Sequence, residues 1–237
     1  MTLNPDPILG HHDDTRSHFD AVLGAIRTGL VELGSLVTEN LRRAGEAMRD
    51  GRFELLPEVR ATEEEIDRRY SALERLTFET LARQQPVAGD LRFLVAATRI
   101  LYEQERSGDL VVNCTNALER EEGFPDTATL KALLSRSVEV AATLFSASVD
   151  AIAEMQADAG PRLDLADDEL DDLISRFYTE IGHEAEHIGL ETAISLSRVG
   201  RFVERIGDHA VNIAQNVTYI VTSNTPDTLR YTPTDEA

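Results

Sequence analysis

Nine consecutive residues concentrate the chemistry of this chain. Glu204-Arg205-Ile206-Gly207-Asp208-His209-Ala210-Val211-Asn212 sets a glutamate, an aspartate and an asparagine at successive four-residue steps. On a helix these three fall on one stripe. Two carboxylates at i and i+4 repel each other by roughly 0.2–0.5 kcal/mol in a bare helix, so the stripe calls for a compensating partner. Ninety-nine residues earlier, Glu105-Arg106-Ser107-Gly108-Asp109-Leu110-Val111-Val112-Asn113 repeats Glu-Arg-x-Gly-Asp-x-x-x-Asn position for position. Two more acidic pairs share the four-residue spacing: Glu63 with Asp67, and Asp167 with Asp171.

Each half of the chain therefore carries two acidic pairs on two different helical segments. If those segments lie antiparallel, the hairpin lengths from 67 to 105 and from 171 to 204 permit the pairs to face each other. Four carboxylates with an asparagine oxygen in reach, from Asn113 or Asn212, form an oxygen-rich polyanionic site. Such a donor set suits hard cations, namely Mg²⁺, Mn²⁺, Ca²⁺ or iron, with zinc as second choice. A purely structural reading stands beside this one. Glu63–Asp67 and Asp167–Asp171 lie near helix starts, where the macrodipole favours acids, and Arg106 and Arg205 offer salt bridges to the other two pairs.

The elements that position these acids are read from apolar spacing. Phe19, Val22, Leu23, Ile26, Leu30, Leu33, Val37, Leu41, Ala44 and Met48 alternate by three and four, which predicts a long amphipathic helix ending at Asp50-Gly51. A second helix follows Pro57, carries Val59, Ile66, Tyr70, Leu73, Thr77 and Leu81 inward, and stops at Gln84-Gln85-Pro86. A third runs from about Val87 to Glu122, burying Leu91, Leu94, Val95, Thr98, Leu101 and Tyr102. The turn Gly123-Phe124-Pro125-Asp126 marks the boundary between halves. The fourth helix covers about Thr127 to Ala157 and ends at Gly160-Pro161. The fifth begins near Leu165, and the sixth spans Leu190 to Val221. No segment alternates with period two. The predicted fold is all-α: two tandem homologous three-helix bundles over 15–123 and 126–222, with a disordered tail over 223–237.

The balance of 23 basic against 43 acidic residues gives a net charge of −20, which argues against a duplex nucleic-acid binder and favours metal cations and basic protein surfaces as partners. The single cysteine, Cys114, adjoins an apolar run and reads as a buried core thiol in a reducing compartment. Met1 to Asp14 lacks the basic flank and apolar centre of a signal peptide, and no apolar run approaches the roughly 20 residues that cross a bilayer. The expected location is the cytoplasm, without membrane insertion.

The segment from Glu204 to Ala214, together with Gln84-Gln85-Pro86-Val87-Ala88-Gly89-Asp90-Leu91-Arg92, resembles PhoU, the family of phosphate-uptake regulators. The resemblance runs from about Phe19 to Val221. It implies two homologous bundles whose paired acids bind iron or zinc in multinuclear clusters: Glu63, Asp67, Glu105 and Asp109 in one half, Asp167, Asp171, Glu204 and Asp208 in the other. It also implies a non-catalytic adaptor, monomeric or homodimeric, that couples the ATPase of a phosphate ABC transporter to a sensor histidine kinase. In that role it keeps the phosphate-starvation response off. One departure from the family pattern lies between the fifth and sixth helices, where Gly182-His183-Glu184-Ala185-Glu186-His187-Ile188-Gly189 replaces Gln-Gln-Pro.

That segment contains a literal H-E-x-x-H, the zinc-protease motif, with Glu204 downstream as a third ligand; a metal-dependent hydrolase using His183, Glu184 and His187 is the alternative function. Glu180-x-x-His183 and Glu184-x-x-His187 also echo di-iron bundles, which take one such motif from each of two helices. The internal repeat argues against both, because Glu105 and Asp109 occupy the same frame as Glu204 and Asp208 with no histidines before them. Gly182 and Gly189 lead us to expect a broken helix at 183–187. His11, His12 and His18 read as solvated, and His209 as a surface or supporting residue.

Overall fold

The computed structural model describes residues 8–120 and 127–224, with side chains from Arg16 onward except those of Phe53 and Leu118. The expected boundary turn at 123–126 and nearly all of the expected tail lie outside the described residues. Six helices follow in order: α1 (Ile8–Asp50), α2 (Leu56–Gln84), α3 (Ala88–Arg120), α4 (Ala128–Glu154), α5 (Ala159–Ile188) and α6 (Leu190–Thr222). A single 3₁₀ turn, Phe53–Leu55, leads into α2. Among the described residues there is no strand.

Helices α1, α2 and α3 pack on one another, as do α4, α5 and α6, and the halves meet where α1 lies on α4 and α3 on α6. The second seam is antiparallel: Arg92 Nε near the start of α3 donates to the Ile220 carbonyl near the end of α6 (3.1 Å). One continuous apolar cluster runs through both halves, from Ile26, Leu30 and Leu33 on α1 through Phe145 on α4 to Phe177 and Ile206.

Four local expectations are corrected. Helix α1 begins at Ile8, ahead of the apolar periodicity at Phe19. Helix α4 ends at Glu154, where Met155 takes the left-handed conformation (φ 53°) and its N–H closes on the Ala151 carbonyl. Gly160-Pro161 is therefore no terminator. It forms the first turn of α5, where proline has no intrahelical N–H to lose. A Cβ on Gly160 would stand 3.1 Å from the Gln215 Cα, so the glycine lets α5 start hard against α6. Lastly, Leu91 and Tyr102 are exposed, at 42% and 55%. Leu94 and Leu101 are buried as expected; packing of α3 on both α1 and α6 adds Phe93, Ala96, Ala97 and Ile100 to the buried side and leaves Leu91 and Tyr102 facing solvent.

Contrary to the expectation of no bilayer-length apolar run, two helical stretches, Arg16–Asp50 and Ala128–Glu154, are long and apolar enough by composition to cross a bilayer. In this fold their apolar faces lie in the bundle, with Ile26, Leu30, Leu33 and Val37 of α1 fully buried.

Candidate metal centres

The two motif glycines explain how the acids meet. A Cβ on Gly108 of α3 would lie 2.6 Å from Glu63 Oε2 of α2. A Cβ on Gly207 of α6 would lie 2.6 Å from Asp167 Oδ1 of α5 and would also strike Leu170 Cδ2. In each half, then, the first acid of the pair on one helix sits on the bare Cα of the glycine inside the Glu-Arg-x-Gly-Asp motif. Glycine in mid-helix costs about 1 kcal/mol relative to alanine. Its position here is what admits a carboxyl group between two packed helices.

In the first half Asp67, Glu105 and Asp109 all act on Glu63; in the second Asp171 and Asp208 act on Asp167, and Glu204 acts on Asp208. Burial, followed by the charges of Asp67, Asp109 and Glu105, pushes Glu63 up to about 8. Burial, followed by Asp171 and Asp208, pushes Asp167 up to about 7. Glu105 and Asp208 are also raised, in each case by burial first and then by the neighbouring acid of their own helix, Asp109 and Glu204 respectively. Glu63 Oε1 and Oε2 and Asp167 Oδ1 are buried without a hydrogen-bond partner. A buried carboxylate among like charges is unfavourable unless a proton or a cation joins it. The donor set, all oxygen with unsatisfied buried lone pairs, fits a hard cation. No three His, Cys, Asp or Glu side chains among the described residues already stand as a closed ligand set. Binding a cation therefore requires the carboxylates to turn inward.

The salt-bridge reading holds in part. Arg106 Nη1 donates to Asp109 Oδ2 at 2.5 Å. Arg205 makes no such bond. Instead Arg201 Nη1 donates to Glu204 Oε1 at 2.5 Å, and Tyr178 Oη donates to Glu204 Oε2 at 3.3 Å. None of these arginines reaches the buried oxygens of Glu63 or Asp167.

The asparagines go elsewhere. Asn212 Nδ2 donates to Glu103 Oε1 (3.2 Å), and Asn113 is exposed in a groove with Arg120 and Arg198. His209, expected to be a surface or supporting residue, is buried at 6% exposure between the halves. Its Nδ1 lies 2.9 Å from Ser107 Oγ, and its Nε2 lies 3.6 Å from Glu103 Oε2. Burial, reinforced by Arg205 and Arg106, lowers its pKa to about 4, so the ring is neutral. Cys114 is buried as expected, and burial raises its thiol to about 12.

The H-E-x-x-H segment differs from expectation. Helix α5 runs unbroken to Ile188, with Gly182 inside it. The histidines are nevertheless remote from Glu204, which is held at Tyr178. Nine residues of helix, about 13 Å at 1.5 Å per residue, separate Tyr178 from His187. Glu204 is therefore no third ligand to that motif.

Sequence reasoning passed over Gly108 and Gly207 as contact points, although a glycine at the same mid-helix position of both repeats was a readable signal. It also passed over Tyr178 and Arg201, which only the packing of α5 on α6 brings to Glu204.

Fold and sites define a duplicated all-helical bundle with, in each half, one acid whose carboxyl oxygens are buried beside a glycine and further acids that are half-buried or exposed. The PhoU domain matches this chain twice, over residues 30–118 and 134–217. Two relatives named phosphate-specific transport system accessory protein PhoU homolog agree with it along most of their length. One, from Synechocystis, is 30% identical over 87% of this chain and 92% of its own. The other, from Deinococcus radiodurans, is 32% identical over 88% and 99%. The crystal structure of PhoU from Pseudomonas aeruginosa superposes with a TM-score of 0.81 at 25% identity, covering 87% of this chain and all of that one. The chain belongs to the PhoU family.

Proposed function

We propose that this protein is a cytoplasmic, non-catalytic regulator of phosphate uptake. In this reading it couples the ATPase of a phosphate ABC transporter to a sensor histidine kinase and holds the phosphate-starvation response off. The names of its relatives, accessory proteins of the phosphate-specific transport system, support the link to phosphate transport. The further part of the reading is that each half holds metal, iron or zinc with magnesium or manganese as alternatives. Glu63, Asp67, Glu105 and Asp109 would supply one set of ligands, and Asp167, Asp171, Glu204 and Asp208 the other. A bound cation would supply positive charge that neutralises the clustered carboxylates and ties α2 to α3 and α5 to α6.

The observation that carries this reading is the pair of buried, unpartnered carboxyl groups, Glu63 on Gly108 and Asp167 on Gly207. Metal analysis of protein purified without chelator, alongside Asp109→Ala/Asp208→Ala, tests the centres. The double variant should lose most of its iron or zinc, and unchanged content rejects the sites. For the regulatory role, deletion should switch on phosphate-starvation genes in phosphate-rich medium.

A further inference from the structure

Continuity of α5 through residues 183–187 creates a surface that the sequence alone does not show. At 100° per residue, Glu180, His183, Glu184 and His187 fall within about a quarter turn of one another, a single stripe over the last two turns of the helix. Both histidines are exposed and both glutamates half-buried at their feet. Glu180 Oε2 lies 3.6 Å from His183 Nδ1. That is beyond hydrogen-bond distance, but a small turn of the exposed His183 side chain brings the carboxylate onto Nδ1, the arrangement that fixes a histidine ring and leaves Nε2 for a metal.

We propose that this stripe is a transition-metal site, separate from the acidic centres and of different chemistry. Two imidazoles one turn apart select Cu²⁺, Ni²⁺ or Zn²⁺ over Mg²⁺ or Mn²⁺, because nitrogen donors suit the later metals. His183 and His187, at i and i+4, are the ligands, and Glu180 positions His183. The donors do not stand at ligand distance in the structure. Turning exposed rings about their own side-chain bonds closes the site without moving the helix. It is not a hydrolase centre: the stripe lies open on a helix surface, and Glu204 is committed to Tyr178 and Arg201. The proposal does not depend on the acidic centres being metallated.

Copper provides the test, because nitrogen ligands leave superhyperfine splitting in the Cu²⁺ electron paramagnetic resonance spectrum and carboxylates do not. The full-length protein, stripped by chelator, should show a two-nitrogen pattern with its first equivalent of Cu²⁺. His187→Ala should reduce that pattern to one nitrogen, and His183→Ala/His187→Ala should abolish it. Glu180→Gln should weaken the site about tenfold, the scale of losing a carboxylate that orients a metal-bound histidine. Both histidines are exposed and Glu180→Gln is close to isosteric, so circular dichroism should be unchanged. If the two-nitrogen spectrum survives in His183→Ala/His187→Ala, copper sits elsewhere, for instance at His11, His12 or His18, and the proposal fails. It fails equally if wild-type protein gives an all-oxygen spectrum.

Discussion

Glu63→Gln tests the electrostatics of the first centre directly. The folded carboxyl is raised from its ordinary 4.5 to about 8, so between those values the folded chain holds a proton that the unfolded chain has released. A group whose folded value is raised contributes its stability in full below 4.5 and loses it as pH climbs through 8. At about 1.4 kcal/mol per pH unit the gap sets a ceiling of about 5 kcal/mol. The site is partly open to water, and solvent screening reduces the working figure to about 2 kcal/mol. Glutamine keeps the shape, cannot ionise, and offers its amide to the neighbouring carboxylates. Urea denaturation in excess chelator, from pH 5 to 9, is the assay. Wild-type stability should fall across this range, and Glu63→Gln should fall less. At pH 8 the variant should be the more stable by about 2 kcal/mol, or about 6 °C in melting temperature for a chain of this size. Equal slopes, or a variant weaker than wild type at pH 8, would refute the claim that Glu63 is an unpaired buried acid.

Gly207→Ala should cost about 2 kcal/mol, since the added Cβ meets Asp167 Oδ1 at 2.6 Å and also strikes Leu170. Gly182→Ala has nothing within 4 Å and should gain a few tenths to about 1 kcal/mol from helix propensity; paired urea melts decide both. At the seam between the halves, His209→Leu leaves Glu103 and Ser107 without the ring and should cost about 2 kcal/mol. Adding Glu103→Phe should restore at least half of that loss, because the internal repeat places Phe202 and Leu110 at the equivalent positions. A double-mutant cycle with a coupling of about 1 kcal/mol or more bears this out, and strict additivity would sink it.

The helix number, the helix order and the four-residue acidic spacings were legible because each rests on a local period. Apolar spacing of three and four names a helix, and acidic spacing of four names a face. What stayed hidden was set by contacts between segments distant in sequence. Gly160-Pro161 reads as a stop in isolation, yet the backbone of α6 at Gln215 makes it a start. Gly182 and Gly189 read as a break at 183–187, but only Gly189, at φ 82°, ends a helix. His209 adjoins an aspartate and reads as a surface or supporting group. Its ring is buried because α3 lies across α6 and presents Ser107 and Glu103 to it.

The repeat also shows where the halves have parted. The pieces that build the cluster recur: an acid on one helix, a glycine beneath it, and a Glu-x-x-x-Asp pair on the next. The rim differs. Where α2 carries Glu74, within electrostatic reach of Glu105, α5 carries Tyr178, whose hydroxyl meets Glu204. Where α3 carries exposed Tyr102, α6 carries Arg201, which holds the other oxygen of Glu204. The first cluster therefore has a fifth carboxylate near its glutamate, while in the second the matching glutamate is already bound by a phenol and a guanidinium. The seam is unequal in the same sense, with Glu103, Ser107 and His209 on one side of the pseudo-twofold and Phe202, Ile206 and Leu110 on the other. A buried hydrogen-bonded set on one side only fixes which way α3 and α6 lie together, since shifting the helices would leave Glu103 and His209 without partners in an apolar seam. The asymmetry thus fixes the register between halves that share their acids and glycines.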